Sequence, residues 1–345
     1  MTKTKLLSIA ALLVFLGAAC TPGAVQTEAD GGVWVTQNKG ETWEHRSTIF
    51  ADRTSKKTIG SIDIKEIIFS SDDPDKVFAI SDRAGLWVSW NKGHFWDLIL
   101  SNMHITDIAI HPDNPKVIYA AIGSTIVVSG DQGIHWRSIY TSDDSSILIT
   151  SIVLNPNNPN ILLAATDSGD ILISEDSGTF WRIYSSLGSV VLTDMEFHPT
   201  IQKTIYALVK GKGLVRSLDE GKNWEFFDEA FTEFAGTDDG RDFVLVPSGV
   251  VYASAFGLLR SLNHGKDWLE LPLISGSHNA NIYSLVVDPV NPLEVTYGTR
   301  STLYHSIDGG FNWIPRMLPT TRTAIELKIH PENPDLLYLG VSLAR

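Results

Sequence analysis

The sequence predicts an all-β chain closed into a seven-bladed β-propeller with four-stranded antiparallel blades, and three observations predict it. An eight-residue pattern, Ser/Thr-x-Asp/Asn-x-Gly-x-x-Trp, returns seven times, starting at Thr36, Ser89, Ser129, Ser174, Ser217, Ser261 and Ser306. The intervals are 53, 40, 45, 43, 44 and 45 residues, the length of one propeller blade. A second marker, a Pro/Asn-rich turn flanked by apolar runs, keeps step with the first around Pro74, Pro112, Pro156, Pro199, Pro247, Pro289 and Pro331.

One blade can be drawn directly from the chain. Thr106 to Ile110 alternates or runs apolar and predicts strand A, and a Pro/Asn turn leads to strand B at Val117 to Ile122. Strand C follows at Thr125 to Ser129, then the eight-residue box, then strand D from Trp136 to Tyr140. Helical periodicity appears only in the first twenty residues. The chain begins with a box that lacks its Pro turn, Val33 to Phe50, and ends with a Pro turn that lacks its box, Ala324 to Leu343. Two N-terminal and two C-terminal strands are therefore expected to share the closing blade, which hides the edges of both chain ends.

With 345 residues, 43% hydrophobic and 19% charged, the chain has enough apolar side chains for a large core and is not a disordered sequence. Forty acidic against 27 basic residues give a net charge of −13, which repels polyphosphate and excludes nucleic acid as a broad partner. A single cysteine forms no intramolecular disulfide. Lys3 and Lys5 precede an apolar run, Leu6 to Ala19, too short to span a bilayer and fit for a signal segment. Its end, Gly17-Ala18-Ala19-Cys20, resembles a bacterial lipoprotein signal, which implies lipidation of Cys20; an ordinary secretory signal is the alternative. The expected organisation is a signal over 1–19, a flexible tether over 20–32 and the propeller over 33–345. Localisation in a bacterial cell envelope, lipid-anchored on the extracytoplasmic side, follows from that resemblance.

The box has a mechanical role that needs no ligand. Side-chain oxygens of Ser and of Asn38, Asn91, Asp131, Asp176, Asp219, Asn263 and Asp308 can accept turn N–H groups, while Gly supplies a positive φ. Trp43, Trp96, Trp136, Trp181, Trp224, Trp268 and Trp313 then open strand D with a ring that packs between sheets. Asn in place of Asp at three boxes predicts looser turns there. This pattern resembles the Asp-box, or bacterial neuraminidase repeat, over essentially the whole chain after the leader. Within that broad group the length, blade count and leader are similar to those of the photosystem II assembly factor-like propellers, which implies a non-catalytic scaffold that binds a protein client or a membrane complex.

The enzymes of the same group supply the alternative, a glycan-binding or glycoside hydrolase propeller. A sialidase needs an Arg-Ile-Pro segment ahead of the first box, and that segment is absent. The run Ala79 to Leu86 resembles the place where xyloglucanase-type enzymes carry a catalytic Asp, which points to Asp82, and Asp167 lies in a second such run. Glycoside hydrolysis needs two carboxylates at a fixed separation, and those enzymes build their cleft between two propellers where this chain has one. His111, His198 and His330 occupy one slot of three different blades and so predict no metal site. Asp72, Asp73 and Asp75 read as a solvated turn with calcium as the alternative, and no cofactor motif occurs.

Alternating connections place the Pro turns and boxes on one face of the ring and the B–C and D–A loops on the other. The second face varies in length, and binding tends to reside on variable loops carried by a rigid scaffold. Its expected ligand-binding residues are Asp82, Arg83, Asp167, Asp170, Lys210, Lys212, Arg241 and Arg300. The longest loop, Glu225 to Asp242, sets seven acids against Arg241 alone.

Overall fold

A computed structural model describes residues 29–50, 58–81, 83–101, 103–234, 236–276 and 280–343. Cys20, the signal, residues 20–28 of the expected tether, and Asp82 lie outside the described residues.

The chain opens with β1 (Gly32–Thr36) and β2 (Glu44–His45). The first complete blade follows as β3 (Ile64–Phe69), β4 (Val77–Ser81), β5 (Gly85–Ser89) and β6 (Asp97–Ser101). The second holds β7 (Ile105–Ile110), β8 (Ile118–Ile122), β9 (Thr125–Ser129) and β10 (Arg137–Thr141), close to the strands read from the repeat. The third contains β11 (Ile149–Leu154), β12 (Leu162–Thr166), β13 (Asp170–Ser174) and β14 (Arg182–Ser186), and the fourth β15 (Leu192–Phe197), β16 (Ile205–Val209), β17 (Gly213–Ser217) and β18 (Glu225–Phe226). After a single helical turn, α1 (Asp228–Phe231), the fifth blade is β19 (Gly240–Val246), β20 (Gly249–Ser254), β21 (Leu258–Ser261) and β22 (Leu269–Leu271). The sixth is β23 (Ser284–Val287), β24 (Val295–Gly298), β25 (Thr302–Ser306) and β26 (Ile314–Met317), and the chain ends with β27 (Thr323–His330) and β28 (Asn333–Ser342).

Each blade is a four-stranded antiparallel sheet, and the seventh has the order β2-β1-β28-β27. Trp34 of β1 stands opposite Leu339 of β28, so the two chain ends share one ladder and neither leaves an edge for another chain to extend. The core lies between blades: Phe78, Ile80 and Leu86 of the first pack with Ile105, Ile118 and Ala120 of the second. A sheet face buried against its neighbour explains why strands B and C read as continuous apolar runs.

Helical periodicity gave no sign of α1, because four residues are too few to show it. Its Phe231 ring, with that of Phe227, lies 5.1 and 5.4 Å respectively from Trp268 and caps the seam between the fourth and fifth blades.

All seven boxes share one hydrogen-bond pattern. In the second blade the Ser129 hydroxyl donates to Asp131 Oδ1 (2.9 Å), and the N–H groups of Gly133 and His135 donate to Ser129 Oγ and Asp131 Oδ1, each at 2.8 Å. The fourth residue as well as the glycine takes a positive φ, 65° at Gln132 and 90° at Gly133. A Cβ at Gly133 would approach Ile99 of the preceding blade to 2.8 Å, so close packing also selects glycine there. The three Asn boxes are not looser: Asn38, Asn91 and Asn263 accept the same N–H at 2.9, 3.0 and 2.8 Å, because an amide oxygen replaces the carboxylate oxygen without loss.

The histidines of the Pro turns act as caps. Nδ1 of His111 accepts from the N–H groups of Asp113 and Asn114, and Asn155 and Asp288 do the same work with side-chain oxygens in their own blades.

Candidate binding site at the ring axis

The strands nearest the axis are β3, β7, β11, β15, β19, β23 and β27, and six of them slip register once near their start. The slip falls between Ile64 and Glu66, Ile105 and Asp107, Ile149 and Ser151, Leu192 and Asp194, Gly240 and Asp242, and Ala324 and Glu326. A bulge re-aims the following side chain. Here it brings Glu66, Asp107, Asp194, Asp242 and Glu326 into one central cavity with Glu196 and Lys328.

Several of these carboxylates fasten one blade to the next. Asp107 Oδ2 accepts from the Ser151 hydroxyl and the Ile152 N–H of the third blade, both at 2.8 Å. Asp242 Oδ2 accepts from Leu285 N–H in the sixth blade (2.7 Å), and Glu326 Oε1 from Ile67 N–H in the first (3.1 Å). Asp194 accepts its own neighbour's N–H, that of Met195 (2.7 Å). Enclosure by seven blades removes water from these groups, so burial raises all of them. Asp107 and Glu196 are pushed up to about 7, Glu66 and Asp242 lie well above the carboxylate range, and neighbouring carboxylates reinforce the shift. Lys328 is raised as well, but by charge rather than burial: Glu326 beside it holds its ammonium protonated. The Lys65 ammonium donates to Thr106 O across the first two blades.

The axis opens at both ends. On the box face a cavity of about 510 Å³ runs from Glu66, Asp107 and Glu196 out to Pro112, Pro156 and Pro199. On the opposite face a cavity of about 410 Å³ is lined by Lys65, His104, Arg241, Tyr283, Ile325 and Leu343. There the Arg241 guanidinium pairs with Asp239 (2.9 Å) and lies 5.9 Å from the centre of the Tyr283 ring. Arg322 bridges Asp63 (2.6 Å) and Asp30 (3.2 Å), which ties Asp30 and the loop between the sixth and closing blades to the start of the first blade at this mouth.

Of the residues read from the sequence, Arg241 alone among the described ones reaches the axis. Arg83, Lys210, Lys212 and Arg300 are exposed on the B–C turns of the first, fourth and sixth blades, spread around the rim. Asp167 Oδ1 accepts Leu148 N–H (2.8 Å), which ties its turn to the loop before β11, and Asp170 accepts the Ser168 hydroxyl (3.3 Å) within its own turn. The acids of the long loop separate: Glu225 pairs with Arg216 (2.6 Å), Asp239 with Arg241, and Asp242 enters the channel. Among the described residues no three His, Cys, Asp or Glu side chains converge on a metal position.

The channel acids escaped the sequence reading, yet they carry a signal. Ile64-Lys65-Glu66-Ile67, Ile105-Thr106-Asp107-Ile108 and Leu192-Thr193-Asp194-Met195 repeat an acid at one slot of strand A. Aligning the blades by their Pro turns would have isolated it, since Asp107, Asp194, Asp242 and Glu326 each stand five residues before Pro112, Pro199, Pro247 and Pro331.

Comparison with known proteins agrees with the fold. Residues 124–243 match the family model described as Sortilin, neurotensin receptor 3. No curated protein matches the chain. The GH74 xyloglucanase of Xanthomonas campestris is similar over 81% of this chain and 51% of its own, at 16% identity and a TM-score of 0.63. The structure of YCF48 bound to D1 peptide is similar over 81% of this chain and 94% of its own, at 16% identity and a TM-score of 0.62. YCF48 from Cyanidioschyzon merolae is similar over 81% of this chain and 95% of its own, at 14% identity and a TM-score of 0.62. The chain thus spans about half of the xyloglucanase and nearly all of YCF48, and the likenesses support a Vps10-like β-propeller fold.

Proposed function

We propose that this protein is a non-catalytic scaffold that binds a protein client at the face of the ring bearing the B–C and D–A loops, held at an extracytoplasmic membrane surface by a lipid on Cys20. The observation that carries this reading is that three of the six channel carboxylates are committed to the scaffold: Asp107, Asp242 and Glu326 accept backbone N–H groups of the next blade. A hydrolase needs a pair of carboxylates turned to a substrate, and these three are turned to the scaffold. The mouth above them combines cations, an aromatic ring and aliphatic side chains, a composition suited to a protein segment. A similar single ring, YCF48, has been seen with a peptide bound, which agrees with this use of the fold.

The test is a crosslinking pull-down from membranes together with an assay on soluble β-glucans. A defined protein partner with no sugar release is the expected result. Glycan cleavage that stops in an Asp82→Asn variant with intact folding would replace this reading with the glycoside hydrolase, which the GH74 likeness favours. Mass spectrometry of membrane-extracted protein should find diacylglycerol on Cys20; an unmodified soluble chain starting elsewhere would remove the anchor from the proposal.

A further inference from the structure

The repeat makes departures visible, and they collect at one place on the box face. The residue after each box Trp is charged in five blades, as Glu44, Asp97, Arg137, Arg182 and Glu225, but is Leu269 in the fifth and Ile314 in the sixth. The Pro-turn residue whose carbonyl receives the N–H of the fourth box position is Asp75, Lys116, Asn160, Lys203 or Asp335 in five blades and Leu293 in the sixth. Leu262, Leu269, Leu293 and Phe311 line a single groove of about 350 Å³ between the fifth and sixth blades, and each is at least half exposed, from 50% to 67%. Leu271, fully buried, forms part of its lining.

The groove also lacks an ion pair that the neighbouring blade makes. Arg216 of the fourth blade pairs with Glu225, but Arg260, in the same slot of the fifth, faces Leu269 instead. Its guanidinium turns into the seam and donates to Gly309 O (3.2 Å) and Pro292 O (3.0 Å). A Cβ at position 309 would lie 2.6 Å from Arg260 Nη1, which accounts for glycine at that box position. Arg260 also lines the groove, with its guanidinium engaged by the Gly309 and Pro292 carbonyls; the other charged residues of the lining, Asp267 and Asp308, are acidic, on a chain of net charge −13.

We propose that the box face carries a second binding surface, an apolar groove between the fifth and sixth blades that takes the apolar face of a basic amphipathic protein segment. Four exposed apolar side chains, three of them (Leu269, Leu293 and Phe311) in slots that are mostly polar elsewhere, form a continuous patch, the mark of an interaction site. The acidic border selects a partner with Lys or Arg on its flanks. The negative net charge opposes a second copy of this chain as the occupant. The surface lies on the opposite face from the axial mouth, so it does not depend on the function proposed above.

The test uses the whole protein, a helical peptide made of leucine and lysine as probe, and the double variant Leu269→Glu, Leu293→Asp. Both new residues stand in these slots in other blades, so folding should persist, checked by an unchanged melting temperature. The double variant adds negative charge, so binding by charge alone would strengthen, whereas docking of apolar side chains should weaken by about 10-fold or more. Weakened binding with unchanged melting is the expected result. Equal or tighter binding by the variant overturns the proposal. So does a wild-type dimer in sedimentation that the variant dissolves, since a second copy would then fill the groove. Wild-type binding to neutral or anionic phospholipid vesicles that the variant loses would assign the groove to a lipid surface and also overturn it.

Discussion

Glu326, near the C-terminal end of the chain, accepts the backbone N–H of Ile67 in the first blade at 3.1 Å. The contact joins residues 259 apart and lies one strand inward from the ladder in which β1 and β28 close the ring. Closure is thus made twice, by a shared sheet and by a carboxylate that fastens the closing blade to the first.

Deleting residues 324–345 removes both closures. The truncated chain should lose its cooperative melting transition, because β1, β3 and β23 each lose a neighbour together. Differential scanning calorimetry reads this out, and an unchanged transition would refute the shared blade.

Trp136 tests the packing role of the boxes. Its ring packs between the first and second blades and its Nε1 donates to Ile99 O (3.2 Å) and Gly133 O (3.0 Å). Trp136→Ala should cost about 3–5 kcal/mol in urea unfolding, without selectively removing client binding from the protein that remains folded.

The Asn and Asp boxes should prove equivalent. Asn91→Ala and Asp131→Ala each leave one turn N–H without its acceptor, that of Phe95 and that of His135. Each should lose about 1 kcal/mol, with the two within about 0.5 kcal/mol of one another. A loss confined to Asp131→Ala would show that charge, rather than the shared oxygen position, holds these turns.

Stability should depend on pH through two opposed groups. Asp107 and Glu196 are raised to about 7, so the folded protein binds more protons than the unfolded chain between about pH 4 and 7, and stability rises as pH falls through that window. His198 is lowered to about 4 from 6.5 by burial and by His264, so its contribution is complete above 6.5 and is lost as pH falls toward 4. Melting temperature should therefore climb from pH 8 to 6.5 and flatten below. In Asp107→Asn the climb should shrink, and in His198→Asn, the residue type of the equivalent slot at Asn155, it should continue toward pH 5. A melting temperature that falls steadily from pH 8 to 5 in the parent would contradict both assignments.

The ring was legible because its punctuation repeats: Ser, Asp or Asn, Gly and Trp at fixed offsets fix each turn, and apolar runs between them fix the strands. The shared closing blade followed from which marker each end lacks. The axis was not legible in the same way. Glu66, Asp107, Asp194, Asp242 and Glu326 face it only because a bulge in each inner strand turns them there, and a one-residue bulge leaves no local mark beyond the acid itself. Arg83, Lys212 and Arg300 were found as turn residues, but a turn's place in the repeat does not give its distance from the axis. The slot shared by His111, His198 and His330 set them apart as non-ligands, but not as what they are: the Nδ1 atoms of His111 and His198 cap their own turns.

The central claim, client binding at the loop-bearing face without catalysis, is tested most directly by one capture measurement. Wild type and the quadruple variant Arg83→Ala, Lys212→Ala, Arg241→Ala, Arg300→Ala are crosslinked in membranes, and the yield of the partner found with the wild type is quantified by mass spectrometry. Exposed charges contribute little to folding but steer association, so melting should move by no more than about 2 °C while capture falls several-fold. Undiminished capture by a folded quadruple variant would contradict the assignment of binding to that face.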